Sequence, residues 1–194
     1  RGQVVFLEGN FPMGMFCINT GKVKISQAGN EGREQIVRLA KMGDIIGYRA
    51  LISGDAYTAS AIAIEDSMIC HIPSKVFFEL LRRNASLTQG LMKLLAGDLK
   101  DAERKVTHFA QKTVAERLAE TLLMLKDYYG QEDGAPPDSF MITREEIARI
   151  VGTATETAIR IMADLRKEGI IQISGRRISI LNRDALVRIA NLYD

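Results

Sequence analysis

ITREEIARIVGTATETAIRIMADLRKE, residues Ile142–Glu168, is the stretch on which the reading of this chain turns. It spells two short helices joined by a tight turn. Thr143, followed three residues on by Glu146, is a capping box: the Thr side chain accepts from a first-turn N–H and the Glu reaches back to the N–H of the cap. Ile147, Ala148, Ile150 and Val151 give the first helix an apolar face, and Gly152 suits a positive-φ exit. A second helix is expected to start between Thr153 and Thr155. Ile159, Met162 and Leu165 would form its core side, with Thr155, Glu156 and Arg160 facing away.

Two helices so joined make a helix-turn-helix, whose second helix enters the DNA major groove with its N-terminal residues at the base edges. Arg matches O6 and N7 of guanine, and Glu accepts from N4 of cytosine. Glu156 and Arg160 lie four apart on one face and can address neighbouring base pairs. The same spacing also makes an ordinary surface ion pair, worth about 0.2–0.5 kcal/mol. The sequence that follows favours the groove. Ile170–Ser174 and Arg177–Leu181 alternate as half-buried strands do, and Ser174-Gly175-Arg176 reads as the turn between them. A helix-turn-helix followed by such a hairpin is a winged helix, with Arg176 and Arg177 at the wing tip for phosphates. The expected DNA contacts are Thr143, Arg144, Thr153, Thr155, Glu156, Thr157, Arg160, Arg176 and Arg177.

The chain has 194 residues, 46% of them hydrophobic, enough for one large or two small cores. A net charge of +2 permits nucleic-acid binding without arguing for it, because the charge is spread. Two Cys without a CxxC support neither a disulfide framework nor a zinc finger. No apolar run reaches the length of a membrane span and no signal peptide is present, so a reduced cytoplasmic location and no membrane partner are expected. The chain starts at Arg1 and enters strand-like sequence almost at once, so residues preceding it in the full protein are expected. No nucleophile–base pair, metal-ligand cluster or phosphate-binding P-loop stands out, and an enzyme is not expected.

From Val4 to Ile72 the sequence consists of short apolar runs broken by Gly9, Gly21, Gly32, Gly43, Gly47 and Gly54, the pattern of a sandwich or barrel. Pro73-Ser74 opens a short helix, and Asn84-Ala85-Ser86 breaks it and caps a long one, from about Leu87 to Phe109. Thr88, Met92, Leu95, Leu99, Ala102, Val106 and Phe109 follow alternating steps of four and three, a heptad seam that argues for a two-stranded coiled coil. The other reading is one amphipathic helix lying on its own strands. Thr113 and Glu116 form a second capping box, opening a helix to about Tyr129. A polar loop, Gly130–Ser139, leads to a short strand, Phe140–Ile142, and Asp184–Leu192 is a final helix.

The run Ile142-Thr143-Arg144-Glu145-Glu146-Ile147-Ala148, then Val151-Gly152, then Glu156-Thr157-Ala158-Ile159-Arg160, resembles the DNA-binding signature of the cyclic-AMP receptor protein and fumarate-nitrate regulator superfamily of bacterial transcription factors. Gly21-Lys22-Val23-Lys24-Ile25 and Gly43-Asp44-Ile45-Ile46-Gly47 resemble its cyclic-nucleotide-binding β-roll, so the likeness spans the chain. The resemblance implies an α+β protein: a cyclic-nucleotide-binding-like β-roll sensor (1–83), a dimerisation helix (84–110) and a winged helix-turn-helix (111–194). It implies Glu156 and Arg160 as base readers, with Thr155 where one branch has a further Arg. The family's effector pocket maps to Gly47, Tyr48, Thr58 and Ala59. Neither the Glu that holds a ribose hydroxyl nor the Arg that holds a cyclic phosphate is at its position, and strand register is expected to point Arg49 elsewhere, so cyclic AMP is not expected. Cys70 matches one of four thiolates that hold a [4Fe–4S] cluster in the fumarate-nitrate branch, the other three lying upstream of Arg1. Alternatively Cys70 is a strand cysteine, and His71 or His108 could hold haem. The dimer interface would use Met92, Leu95, Leu99, Ala102, Val106 and Phe109, and an activator would also engage RNA polymerase. The expected function is a homodimeric, sequence-specific transcription regulator that binds a near-palindrome under the control of an effector. The alternative is a non-catalytic cyclic-nucleotide-type regulatory module of another system.

Overall fold

The computed structural model describes residues 1–29, 34–130, 136 and 138–192. Two compact units divide the chain, Arg1–Glu103 and Arg104–Asp194.

The first unit contains β1 (Val4–Phe6), β2 (Gly14–Thr20), β3 (Lys22–Ala28), β4 (Glu34–Lys41), β5 (Ile45–Ile46), α1 (Tyr48–Ser53), β6 (Ser60–Ala63), β7 (Met68–Pro73), α2 (Ser74–Arg83) and most of α3 (Ala85–Gln111). One antiparallel sheet runs β1-β6-β3-β4 and a second runs β5-β2-β7. They close on a shared core: Ile18 and Ile46 from the second sheet meet Val23, Ile25, Ala40 and Ala61 from the first. The alternation of Val23 and Ile25 with Lys22 and Lys24 puts the isoleucine and valine inside, while the lysines pair with Glu65 at 3.1 Å and Glu34 at 2.8 Å. Gly21 joins β2 to β3 at φ +87°, and a Cβ there would lie 2.2 Å from Ser67 Oγ, so no larger residue fits.

Short strands fill the stretch from Val4 to Ile72 as its apolar runs suggest, but α1 was not expected. Its six residues lie between Gly47 and Gly54, both left-handed, and are too few to show a helical period. A separate cluster of Met15, Tyr48, Leu51 and Phe77 joins β2 and α1 to α2, with Leu91, Leu94 and Leu95 of α3 packed against it.

The second unit contains the end of α3, then α4 (Val114–Tyr129), β8 (Ser139–Met141), α5 (Arg144–Val151), α6 (Thr155–Lys167), β9 (Ile171–Ser174), β10 (Arg177–Ile180) and α7 (Arg183–Ile189). The sheet order is β8-β10-β9. Leu118, Leu122, Leu125, Phe140, Ile147, Met162, Ile171, Ile178 and Leu186 are fully buried and form its core. Most of the expected Gly130–Ser139 loop, 131–135 and Pro137, lies outside the described residues, as does Gly32. The core face of α6 corrects the sequence reading. Ala158, Met162 and Leu165 are buried, while Ile159 is 49% exposed. A repeat of three lags behind a turn of about 3.6 residues, whereas steps of four and three stay on one stripe.

Candidate functional site

Both helices of the expected reading unit form where their sequence signals put them. Thr143 caps α5: its Oγ1 accepts from the Glu146 N–H at 3.1 Å, and Glu146 Oε2 accepts from the Thr143 N–H at 2.9 Å. The Thr143 hydroxyl also donates to Glu146 Oε2 at 2.7 Å, so this side chain is engaged in the cap. Gly152 ends α5 at φ 71°, ψ 52°. Ala154 precedes α6 and supplies no side-chain cap to its first-turn N–H groups. Glu156 and Arg160 are exposed on α6, with Thr153, Thr155 and Thr157 half-buried beside them. On α5 Arg149 forms a surface ion pair with Glu145, at 2.6 Å. Among the described residues, Glu156 and Arg160 hold no ion pair.

The wing is a hairpin in which Ser174 opposes Arg177, leaving Gly175 (φ 58°) and Arg176 as a two-residue turn. Arg176 is exposed at the tip. Arg177 departs from expectation: it is half-buried and its Nη1 donates to Ser139 Oγ at 3.1 Å, because its place in β10 turns it toward β8. Arg144, the first residue of α5, donates from Nη1 to the Gly175 carbonyl, and the Ile142 N–H donates to the Arg176 carbonyl at 3.2 Å. Wing and helix-turn-helix are therefore tied by a side chain and by backbone.

A group at the start of α4 escaped the sequence reading. Glu120 Oε2 lies 2.8 Å from Lys112 Nζ and 3.0 Å from His108 Nδ1, and Lys112 also donates to the Ala190 carbonyl at 2.9 Å. Arg117 donates to the carbonyls of Lys112 (2.8 Å) and Val151 (3.3 Å) while its guanidinium lies 5.0 Å from the centre of the Phe109 ring. In sequence these are scattered helical charges. Only the fold gives them common partners.

In the first unit, Gly47, Tyr48, Thr58 and Ala59 line one cleft together with Arg38, Arg49 and Tyr57. The expectation for Arg49 is corrected: it belongs to a helix, α1, and not to a strand, and the helical turn brings it to the cleft. The free volume is about 40 Å³, where one water takes roughly 10–15 Å³. Tyr48 is fully buried and its hydroxyl donates to Asp98 of α3. Burial, and then the hydrogen bond to Asp98, push this hydroxyl up to about 12.

No residue of α3 is buried within this chain. Along the expected seam Met92, Leu99 and Val106, seven apart, are 63%, 61% and 70% exposed, and Ala102 and Phe109 are exposed too. Leu95 is half-buried, because it also packs on the Phe77 cluster.

Cys70 is exposed on β7 and directly opposes the half-buried Cys17 on β2. A [4Fe–4S] cluster takes four thiolates. Among the described residues no group of three or more Cys, His, Asp or Glu could hold a metal ion, so those residues do not by themselves fit a cluster. His71 is exposed and lies against the Phe16 ring, with centroids 4.9 Å apart, while His108 Nδ1 lies 3.0 Å from Glu120 Oε2. Among the described residues no helix is long and apolar enough to cross a membrane.

Residues 1–84 match the cyclic nucleotide-binding domain family, and residues 116–189 match the Crp-like helix-turn-helix domain family. The fumarate and nitrate reduction regulatory protein of Escherichia coli (strain K12) is 30% identical over 191 residues, 98% of this chain and 76% of that protein. A CRP-family transcriptional regulator of Thermus thermophilus superposes with a TM-score of 0.83 at 24% identity, covering 98% of this chain and 94% of that one. A CRP/FNR-family transcriptional regulator from the same organism gives 0.81 at 25% identity, covering 98% and 95%. A β-roll joined by a long helix to a winged helix-turn-helix, with these relatives along nearly its whole length, makes this chain a member of the CRP/FNR family of transcription regulators.

Proposed function

We propose that the chain works as a homodimer that reads a near-palindromic DNA site. Residues 1–83 would serve as sensor, 84–110 as dimer helix and 111–194 as reading unit, in the cytoplasm. The observation that carries this reading is the open face of α6. Glu156 and Arg160 stand exposed one turn apart, while Ala158, Met162 and Leu165 lock the opposite face into the core. Among the described residues, neither side chain has an ion-pair partner. Their chemistry suits cytosine N4 and the O6/N7 edge of guanine. Arg176 at the wing tip suits a phosphate, which fixes position without reading sequence.

The open seam of α3 supports dimerisation, since a 27-residue helix with Met92, Leu99 and Val106 on one exposed line is covered best by a second copy. Two-fold symmetry then asks for half-sites about one helical turn apart. In the sensor, Arg38 and Arg49 line the cleft without a carboxylate among its lining residues, which favours a small anionic effector over a group that needs its ribose hydroxyls held. Tyr48 joins the cleft to Asp98 on α3, so an effector that moved Tyr48 would act on the dimer helix. Contact with RNA polymerase would follow if the protein activates.

The test is equilibrium binding of the full-length protein to palindromic and random duplexes across a salt series. A sequence-specific regulator shows a steep salt slope on both duplexes and a large affinity gap between them. Equal affinity for the two duplexes at every salt concentration would refute base reading by α6.

A further inference from the structure

Cys17 and Cys70 are direct cross-strand partners. β2 and β7 pair antiparallel with Met15 opposite Ile72, Phe16 opposite His71, Cys17 opposite Cys70 and Ile18 opposite Ile69. Opposed residues of such a pair have Cα atoms about 4.5 or 5.5 Å apart and project to the same face. Both spacings fall within the roughly 4.4–6.8 Å that a disulfide spans. The register is held from two sides. β2 also pairs with β5, where Cys17 opposes Ile45, and at Gly14 the strands approach so closely that a Cβ would lie 2.2 Å from the Ile72 carbonyl oxygen. A slip of one residue would drive Phe16 and Ile18 out of the core.

The two thiols differ. Cys70 is exposed, unusual for a residue type that is normally buried when free. Cys17 is half-buried and packs on the Met15–Tyr48–Leu51–Phe77 cluster, against which Leu91, Leu94 and Leu95 of α3 also lie. Burial pushes the Cys17 thiol up, and a charge on the neighbouring Cys70 adds to this. Cys70 is thus the accessible sulfur and Cys17 the one that waits.

We propose that Cys17 and Cys70 form a dithiol site for hydroperoxides, closing to a cross-strand disulfide that alters the packing beneath α3. The effect on DNA binding rests on the regulator function proposed above. The chemistry takes two steps. The Cys70 thiolate attacks the peroxide, an S–O bond forms, the O–O bond breaks, and the departing oxygen takes a proton and leaves as alcohol or water. The Cys17 sulfur then attacks the sulfenic sulfur, the S–S bond forms, the S–O bond breaks, and water leaves with the Cys17 proton. The two sulfurs lose two electrons and the peroxide gains them. Closure ties Cys17 to β7, so its contact with the cluster shared with α3 must change.

The experiment treats the full-length protein, purified reduced and without oxygen, with hydrogen peroxide. Disulfides are mapped by peptide mass without reduction, and binding to its DNA site is measured before and after. The expected result is a peptide pair joining Cys17 to Cys70, reversible by dithiothreitol. DNA affinity should change by about fivefold or more, the low end of allosteric coupling. Cys17→Ala and Cys70→Ser should abolish both effects while retaining the wild-type circular dichroism. Either thiol surviving exhaustive oxidation, or Cys70 linking only to a second copy, would overturn the site. So would iron and inorganic sulfide bound in a manner that Cys70→Ser abolishes and Cys17→Ala leaves intact. An intramolecular disulfide with unchanged DNA affinity would overturn the link to α3. Failure of the reduced protein to bind any DNA would count against the regulator function, while the disulfide map would still decide the site.

Discussion

Arg117 donates from Nε to the carbonyl of Val151 across 3.3 Å, so one side chain at the start of α4 holds the last turn of α5. Its Nη1 donates to the Lys112 carbonyl at 2.8 Å, just beyond the end of α3, and its guanidinium lies over Phe109. A planar fork is needed for this, and an ammonium does not reproduce it. Arg117→Lys should destabilise the second unit by about 1.5–3 kcal/mol, the range for hydrogen bonds made by charged groups. Urea unfolding followed by tyrosine fluorescence reads this out, and a midpoint equal to wild type would remove Arg117 as a clamp.

Arg160→Ala should weaken specific DNA binding by roughly 1–3 kcal/mol and leave random-duplex binding nearly untouched. Arg176→Ala should weaken both about equally and lower the salt slope by about one charge. Titrations on the two duplexes separate these signatures. A swap of the two would mean that the wing, not α6, meets the bases.

Val106 is 70% exposed, on the seam line of Met92 and Leu99. Val106→Glu should shift the protein toward monomer, because pairing two copies would then bury two like charges. Analytical ultracentrifugation measures the shift. A dimer as tight as wild type would place the interface off this face.

The Thr143 hydroxyl accepts from the Glu146 N–H at 3.1 Å. Thr143→Ala should cost about 0.5–2 kcal/mol of stability. A change in urea midpoint with unchanged DNA affinity per folded molecule would confine Thr143 to capping, whereas loss of affinity at full stability would make it a DNA contact.

Tyr48 carries a pH signature. Its hydroxyl is raised from 10.0 to about 12 by burial and by Asp98. Between these values the unfolded chain gives up the proton while the folded chain keeps it, so the contribution of Tyr48 is complete below pH about 10 and is lost as pH rises toward 12. Tyr48→Phe should flatten the stability profile in that window. Parallel profiles for wild type and variant would show that the buried, Asp98-bound hydroxyl does not shape that window.

The sequence alone determined the local elements. Capping boxes at Thr143/Glu146 and Thr113/Glu116, the positive-φ exit at Gly152 and the hairpin turn at Gly175 rest on chemistry within a few residues, and all form as read. The exposed partners Glu156 and Arg160 were legible for the same reason, since a helical period defines a face. Tertiary structure decided what depends on distant neighbours. It turned Ile159 outward and Arg177 toward Ser139, brought Arg49 to the cleft through a helix too short to have a period, and set Cys17 opposite Cys70. It also joined Tyr48 to Asp98, fifty residues apart. Such pairings follow from strand register and helix packing, which are set by the burial of whole faces and leave no mark in the spacing of any one segment.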